Sequence, residues 1–391
     1  MAFDFYLSEM SVSNQHGGGL TIQRILGDDL FAIPLFVHLG RYADMHPIIP
    51  ALEGRELTLS TWWDSDGARR LIGRTRARTM RKKIWVIKSA AINAARALAD
   101  KFEKEKLLKV LVCPQGASSL YTIEGLKKRR AVKYISWVMD DHLVQYINGR
   151  WEYPNNIETV FGKHLREAEH VFVISPEMQQ FYLERFGVNS TVLFGPADAI
   201  KTTTCNVHTT GLIKIGYFGA VDLWQKDALA AVANAVSDAD GQLDIYSVIE
   251  KLPQELNHPG VQLKARLSPE MVLHTMQRYD AILLPMSFLE EKRHMSEFNI
   301  ATKMSEYLAS GVPILAVGPA YSAMIKYLKG HEAAIIVDSI DKSEIQKGFN
   351  LLQHKQTVAT TLVNAANAAA NATGTKPMRM RWQIAVNKFL S

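Results

Sequence analysis

The chain has 391 residues, 47% of them hydrophobic and 21% charged, which excludes disorder and collagen-like structure and makes two domains the default. The formal charge is +6, an excess whose placement matters more than its size. Cys113 and Cys205 stand far apart without metal-ligand spacing, so a disulfide scaffold is excluded and a reduced, cytoplasmic compartment is expected.

The start, MAFDFYLSEM, has neither a basic n-region nor a long apolar stretch, so no signal peptide is expected. No run reaches the ~18 apolar residues of a membrane span. In chain order, FAIPLFVH (31–38), LLKVLVCP (107–114), VKYISWVM (132–139), HVFVIS (170–175) and TVLFG (191–195) read as buried strands. IKIGYFG (213–219), LDIYSV (243–248), AILLPM (281–286), PILAVG (313–318) and AAIIVD (333–338) repeat the rhythm. Helical patterns lie at 78–105, 176–186, 225–236, 268–278, 302–310 and 320–329. Strands alternating with helices predict βαβ units and parallel sheets buried on both faces. Two sets of strands predict an α/β chain of two Rossmann-like, doubly wound domains. The polar stretch 198–211 reads as the linker. The first domain is therefore predicted over 1–205, the second over 206–375, with 376–391 a helix packing back on the first. In open sheets ligands bind outside the carboxyl ends of the strands, and two facing domains would put a site in the cleft between them.

Several stretches carry chemistry. YDAILLPM (279–286) predicts a strand end, and after a loop TKMSEYLASG (302–311) predicts a helix that returns through Gly-Val-Pro to the strand VPILAV. A helix start at a strand's carboxyl edge offers free N–H groups and suits phosphate, with Thr302 or Ser305 as the cap. Glu306, one turn in, could accept hydrogen bonds from sugar hydroxyls or simply complement the helix dipole. SNQHGGGL (13–20) predicts a glycine turn, Gly17, Gly18 and Gly19, that lets a ligand approach closely or cradles an anion. An esterase oxyanion loop would need a Gly-x-Ser-x-Gly elbow, which the chain lacks. SWVMDDHLVQY (136–146) puts Asp140, Asp141 and His142 at a strand's carboxyl end, as a site cluster or as a polar loop. RRLIGRTRARTMRKK (69–83) has eight basic residues in fifteen and no acid. No nucleic-acid motif accompanies it. Leu71, Ile72, Met80, Ile84 and Trp85 interleave with the charges, so an interfacial helix on anionic phospholipid is preferred over nucleic acid. A solvated basic face is the remaining reading.

Lys303, Glu306, Tyr307, Leu308, Ala309, Gly311, Val312 and Pro313 fall in the register of P-K-x-x-E-Y-L-A-x-G-x-P. This segment resembles the signature of retaining glycosyltransferases of the GT-B fold, glycosyltransferase family 4. The resemblance spans about 170–340 clearly and the first 170 residues loosely, with Ser175, Gly195 and Asp198 in register. It implies a metal-independent hexosyltransferase with no cofactor. The enzyme would move a sugar from a UDP- or GDP-sugar to a hydroxyl acceptor, a glycan or lipid-linked glycan, with retention and a front-face mechanism. Glu306 would bind the ribose. Gly219, Thr302, Lys303 and the loop 294–304 would hold the diphosphate, with Arg266 near the base or phosphates. Ala220 stands where the family has an arginine, and Lys226 lies near the family's lysine with one extra residue between. Lys226 is thus the cation expected to stabilise the leaving diphosphate, or a plain surface lysine. The family's earlier glutamate is Phe298 here, and Glu297, one residue before it, is the candidate for its catalytic role towards the donor sugar, beside Lys226, Asp141 and His142. His16, the three glycines and Asp140 to His142 would face the acceptor or donor sugar. The family suggests bacterial cell-surface polysaccharide or lipopolysaccharide assembly, in the cytoplasm or peripheral on the inner membrane face. Departures at Ala220 and Phe298 keep open a non-catalytic nucleotide-sugar-binding scaffold, and a nucleotide-sugar epimerase is a further alternative.

Overall fold

The structure is a computed structural model that describes residues 3–40, 46–198, 212–221, 225–239 and 241–390. Cys205 and most of the expected linker, 199–211, lie outside the described residues. The chain divides into two compact units, Met1–Gly195 with Arg379–Ser391, and Pro196–Met378. The division falls after Gly195, ahead of the polar stretch.

The first unit holds β1 (Phe5–Ser8), β2 (Phe36–Leu39), β3 (Glu56–Leu59), β4 (Leu107–Cys113), β5 (Ala131–Trp137), β8 (His170–Val173) and β9 (Thr191–Val192). They form one parallel sheet in the order β3-β2-β1-β4-β5-β8-β9. A separate antiparallel hairpin pairs β6 (Gln145–Ile147) with β7 (Arg150–Glu152). The core on one sheet face joins Phe5, Leu7, Val37, Val110 and Val112 to Ala95 and Leu98 of the helix Ile84–Lys101. The last helix, Thr375–Leu390, enters the first unit at Arg379. Its Trp382 is buried against Phe3, Trp137 and Phe172, with ring centroids 5.3–6.2 Å apart.

The second unit holds β10 (Lys214–Phe218), β11 (Gln242–Ser247), β12 (Val261–Ala265), β13 (Ala281–Pro285), β14 (Ile314–Val317) and β15 (Ile335–Val337). All pair parallel, in the order β12-β11-β10-β13-β14-β15. Its core includes Ile215, Tyr217, Leu243, Ile245, Leu283 and Leu315. Both sheets have the strand order of a doubly wound fold, in which succession reverses beside the first strand and opens a crevice at the carboxyl edge. That crevice lies between β1 and β4 in one unit and between β10 and β13 in the other.

The structure corrects several local expectations. The strand expected at 31–38 is only Phe36–Leu39, because residues Gly27–Ala32 wind into a 3-10 helix. The helix expected over 78–105 is two, Arg74–Arg81 and Ile84–Lys101. The basic stretch 69–83 is likewise broken at Gly73, whose φ of 83° leaves the helical region. The first strand, β3 and β12 were not among the apolar runs, since β3 and β12 are half-exposed edge strands of mixed character.

Candidate functional site

Gly219, Lys303 and Glu306 gather at the carboxyl edge of the second sheet. β10 ends at Phe218, and Gly219 donates its N–H to the Tyr246 carbonyl at 3.0 Å. The helix Lys303–Ala309 begins against this strand end. Its buried Tyr307 hydroxyl accepts the Phe218 N–H at 3.3 Å and so pins helix to strand. The Gly-Val-Pro return then follows from backbone geometry. Gly311 takes a φ of 71°, which favours glycine, and the Pro313 carbonyl accepts the Ile282 N–H at 2.9 Å, starting the pairing of β14 with β13.

This docking carries the Lys303 ammonium over Gly219. It lies 3.5 Å from the Tyr217 hydroxyl and 4.8 Å from that ring's centroid, a cation–π contact. A β-carbon on Gly219 would stand 1.9 Å from Lys303 Nζ, so the glycine provides the room that the ammonium fills. Glu306 follows one turn on, half-buried. Thr302 precedes the helix but its side chain makes no cap, and Ser305 is buried inside the helix rather than at its start. The capping expectation therefore fails.

Lys226 and Glu297 are engaged elsewhere. Lys226 forms an ion pair with Glu255, whose carboxyl is held below its usual range chiefly by that hydrogen bond. Glu297 accepts from Arg293 Nε at 3.3 Å, and Arg293 also reaches Glu290 at 3.6 Å and stacks over Tyr321. Arg266 is exposed just after β12, an edge strand. The expected loop 294–304 is partly helical, over Arg293–Phe298. It is braced by Ser296, which donates to the Ser287 carbonyl at 2.9 Å. Asp227 was missed by sequence reasoning. Its carboxylate accepts the Phe288 N–H at 2.7 Å and so ties the start of the helix Lys226–Asp238 to the segment after β13. An acid in a first helical turn is the signal that could have found it.

In the first unit, Gly17, Gly18 and Gly19 form the first turn of the helix Gly17–Leu26 rather than an open loop. His16 caps that helix, its Nδ1 accepting the Gly19 N–H at 3.0 Å. Its pKa is pushed down to about 4 by burial and then by His46, whose ring meets it edge-on at 5.5 Å. A β-carbon on Gly19 would lie 2.2 Å from the Ser13 carbonyl oxygen, and one on Gly18 3.3 Å from Met139 Sδ. The glycines thus bring the helix start to the end of β5. Asp140 is half-buried, 3.8 Å from the exposed His142, and burial pushes its carboxyl up against the opposing effect of His142. Asp141 turns inward: it is 2% exposed and accepts from Tyr153 at 2.5 Å and Tyr182 at 3.3 Å. Those contacts support packing, not an open site. Glu9 was also missed. Its carboxylate accepts the N–H groups of Gln115 at 3.0 Å and Ser119 at 2.8 Å, at the start of the helix Ala117–Lys127. A side chain of the protein therefore fills the first unit's anion-favouring helix start. Among the described residues no cluster of His, Cys, Asp and Glu could hold a metal ion.

Two doubly wound units, each with its strand reversal at the carboxyl edge, define a two-Rossmann architecture. Solved structures with the same architecture include a glycosyltransferase and proteins solved with a nucleotide bound. The chain superposes on sucrose-phosphate synthase from Thermosynechococcus elongatus with a TM-score of 0.71 at 12% identity, over 100% of this chain and 99% of that one. HepE from Anabaena, solved in complex with UDP, gives 0.65 at 11% identity, over 99% and 100%. A glycosyltransferase from Rickettsia africae gives 0.62 at 13% identity, over 99% of each chain. No protein-family model and no curated protein matches the sequence. The chain has the GT-B fold.

Proposed function

We propose that this chain is a glycosyltransferase that moves a sugar from a nucleotide-diphosphate sugar to a hydroxyl acceptor with retention of configuration. The observation that carries the reading is the Lys303 ammonium held over Gly219 at the strand reversal, with Glu306 one turn along the same helix. Ligands of doubly wound sheets bind at such a crevice. A cation there neutralises charge growing on a departing diphosphate, and it acts from a prearranged position. Glu306 would accept from the ribose hydroxyls, and Gly219 would let the phosphates approach. Lys303 takes the role for which Lys226 was the first candidate, because Lys226 is paired with Glu255. UDP is the first nucleotide to test, since HepE is solved with UDP and with UDP-glucose. Thr302 and Arg266 remain donor-side candidates. His16, Gly17 to Gly19, Asp140 and His142 are candidates on the acceptor or sugar side. The reaction would need no bound metal. The acceptor would be a glycan or lipid-linked glycan of bacterial cell-surface assembly, handled in the cytoplasm at the membrane's inner face.

A second reading is a nucleotide-sugar-binding protein without transfer. It is favoured by Ala220 in the arginine position and by the Arg293 contact that occupies Glu297. Calorimetric titration with UDP, GDP and dTDP, followed by a donor-hydrolysis screen, separates the two. Lys303→Met and Glu306→Ala should each weaken nucleotide binding about 10- to 100-fold, the worth of one charge-assisted hydrogen bond. Unchanged affinity in both variants would overturn the donor-site assignment. Tight binding with no turnover of any donor would favour the second reading.

A further inference from the structure

The hairpin of β6 and β7 belongs to neither main sheet. Its turn is Asn148-Gly149, with φ of 50° and 81°, the two-residue turn that suits the twist of a hairpin. A two-stranded hairpin is marginal by itself, and this one is anchored at its base. Leu143 and Val144 are buried before it and Ile157 after it. Tyr153, just past β7, donates to Asp141 at 2.5 Å. The hairpin is therefore rooted at the carboxyl end of β5, next in sequence to Asp140 and His142.

The register sets Tyr146 opposite Trp151, so both rings lie on one face. Their centroids are 5.5 Å apart and their planes inclined by 55°. Tyr146 is exposed and Trp151 half-buried. Gln145, Asn148, Arg150 and Asn155 are exposed in the same segment. Between 143 and 157 there is one cation, Arg150, and one anion, Glu152. That neutrality suits neither a polyphosphate nor an anionic headgroup layer, both of which reward an excess of cations. A wholly apolar partner would leave the amides without hydrogen bonds. A neutral saccharide meets both features. Its ring C–H groups lie against an aromatic face, and its hydroxyls both donate to and accept from amide side chains. Tyrosine and tryptophan supply such contact area at little loss of side-chain freedom.

We infer that Tyr146 and Trp151 form a stacking platform for a neutral oligosaccharide, the part of a glycan acceptor remote from the reacting hydroxyl. The inference rests on the glycan-acceptor reading above, but its test uses no nucleotide. The full chain is titrated with maltohexaose, cellohexaose, mannohexaose and chitohexaose, and binding is followed by saturation transfer to the sugar protons. At least one hexasaccharide should bind, about tenfold more tightly than its monosaccharide. Tyr146→Thr or Trp151→Thr should weaken that binding about tenfold, and the two together about 100-fold. Threonine keeps strand propensity, so the hairpin persists in these variants. Trp151→Phe, which retains a smaller ring, should recover part of the affinity. UDP affinity should be unchanged in every variant. A chain that binds no nucleotide yet holds a hexasaccharide through these rings would sink the donor-site reading and keep this one. Absence of binding to all four hexasaccharides overturns the inference, as does binding indifferent to both substitutions. So does self-association that the substitutions abolish in a chain that holds no sugar, which would mark a contact between copies.

Discussion

At Gly219 the absent side chain leaves the volume in which a cation stands at the strand reversal. Lys303 fills that volume, while Lys226, nearer in sequence to the glycine, is bound to Glu255. Lys303 and Glu306 were legible in the sequence because they belong to one short register on one helix. Asp227 and Glu9 were not, because their partners, Phe288 and Gln115 with Ser119, are distant in sequence and meet them only in the folded sheet. Buried histidine follows the same rule. His38, on β2, is fully buried, and burial pushes its pKa down to about 4 despite an opposing contact with the Met10 backbone. Unfolding restores the ordinary value near 6.5, so the unfolded state binds the proton first as pH falls. Stability attached to His38 is thus present above about pH 6.5 and lost towards pH 4, on the order of 3 kcal/mol in all. His38→Leu should flatten the fall of Tm between pH 7 and pH 4.5 relative to the unaltered chain. An equal fall in both would mean that His38 titrates normally.

The elements were legible where one signal dominated. Apolar runs marked the buried strands β4, β5, β8, β10, β11, β13, β14 and β15, because parallel strands covered on both faces admit little else. The half-exposed edge strands β3 and β12 and the basic helices carry no such signal. The split between Arg74–Arg81 and Ile84–Lys101 has no proline or glycine at Lys82 and Lys83 to announce it. The segment after β13 behaves as a braced element rather than a loose loop: it contains the helix Arg293–Phe298, an internal Ser296–Ser287 bond and the Asp227 tie. Asp227→Ala removes one charge-assisted bond, worth about 1.5–3 kcal/mol. Hydrogen exchange should accelerate across 287–302 in that variant while β10 and β13 keep their protection. Uniform acceleration through the second unit would instead mean that Asp227 supports the whole sheet.

On the scale of the molecule, one topology is used twice with opposite edge chemistry. In the first unit a carboxylate of the chain, Glu9, fills the anion-favouring helix start beside the reversal. In the second a cation faces the corresponding edge. The doubly wound pattern was readable from alternating strands and helices, but this difference was not, since it turns on which side chain reaches across. The first unit is also discontinuous in sequence. Trp382 stacks among Phe3, Trp137 and Phe172, and Lys109 donates to the Leu390 carbonyl at 3.2 Å. Trp382→Ala should cost the first unit about 3–5 kcal/mol. Its unfolding transition should shift in a denaturant titration followed by exchange, with the second unit's transition in place. Joint movement of both transitions would show that the units unfold together.

That discontinuity bears on biosynthesis. Residues 196–378 form a unit that is unbroken in sequence. The half made first is completed last, because the residues that close its core emerge only after all of the other. For that interval Phe3, Trp137 and Phe172 lack their partner, and apolar surface left open during synthesis invites aggregation. The core of the amino-terminal half is therefore completed only after the other half has been made, and chaperone demand should track the delay between Gly195 and Trp382.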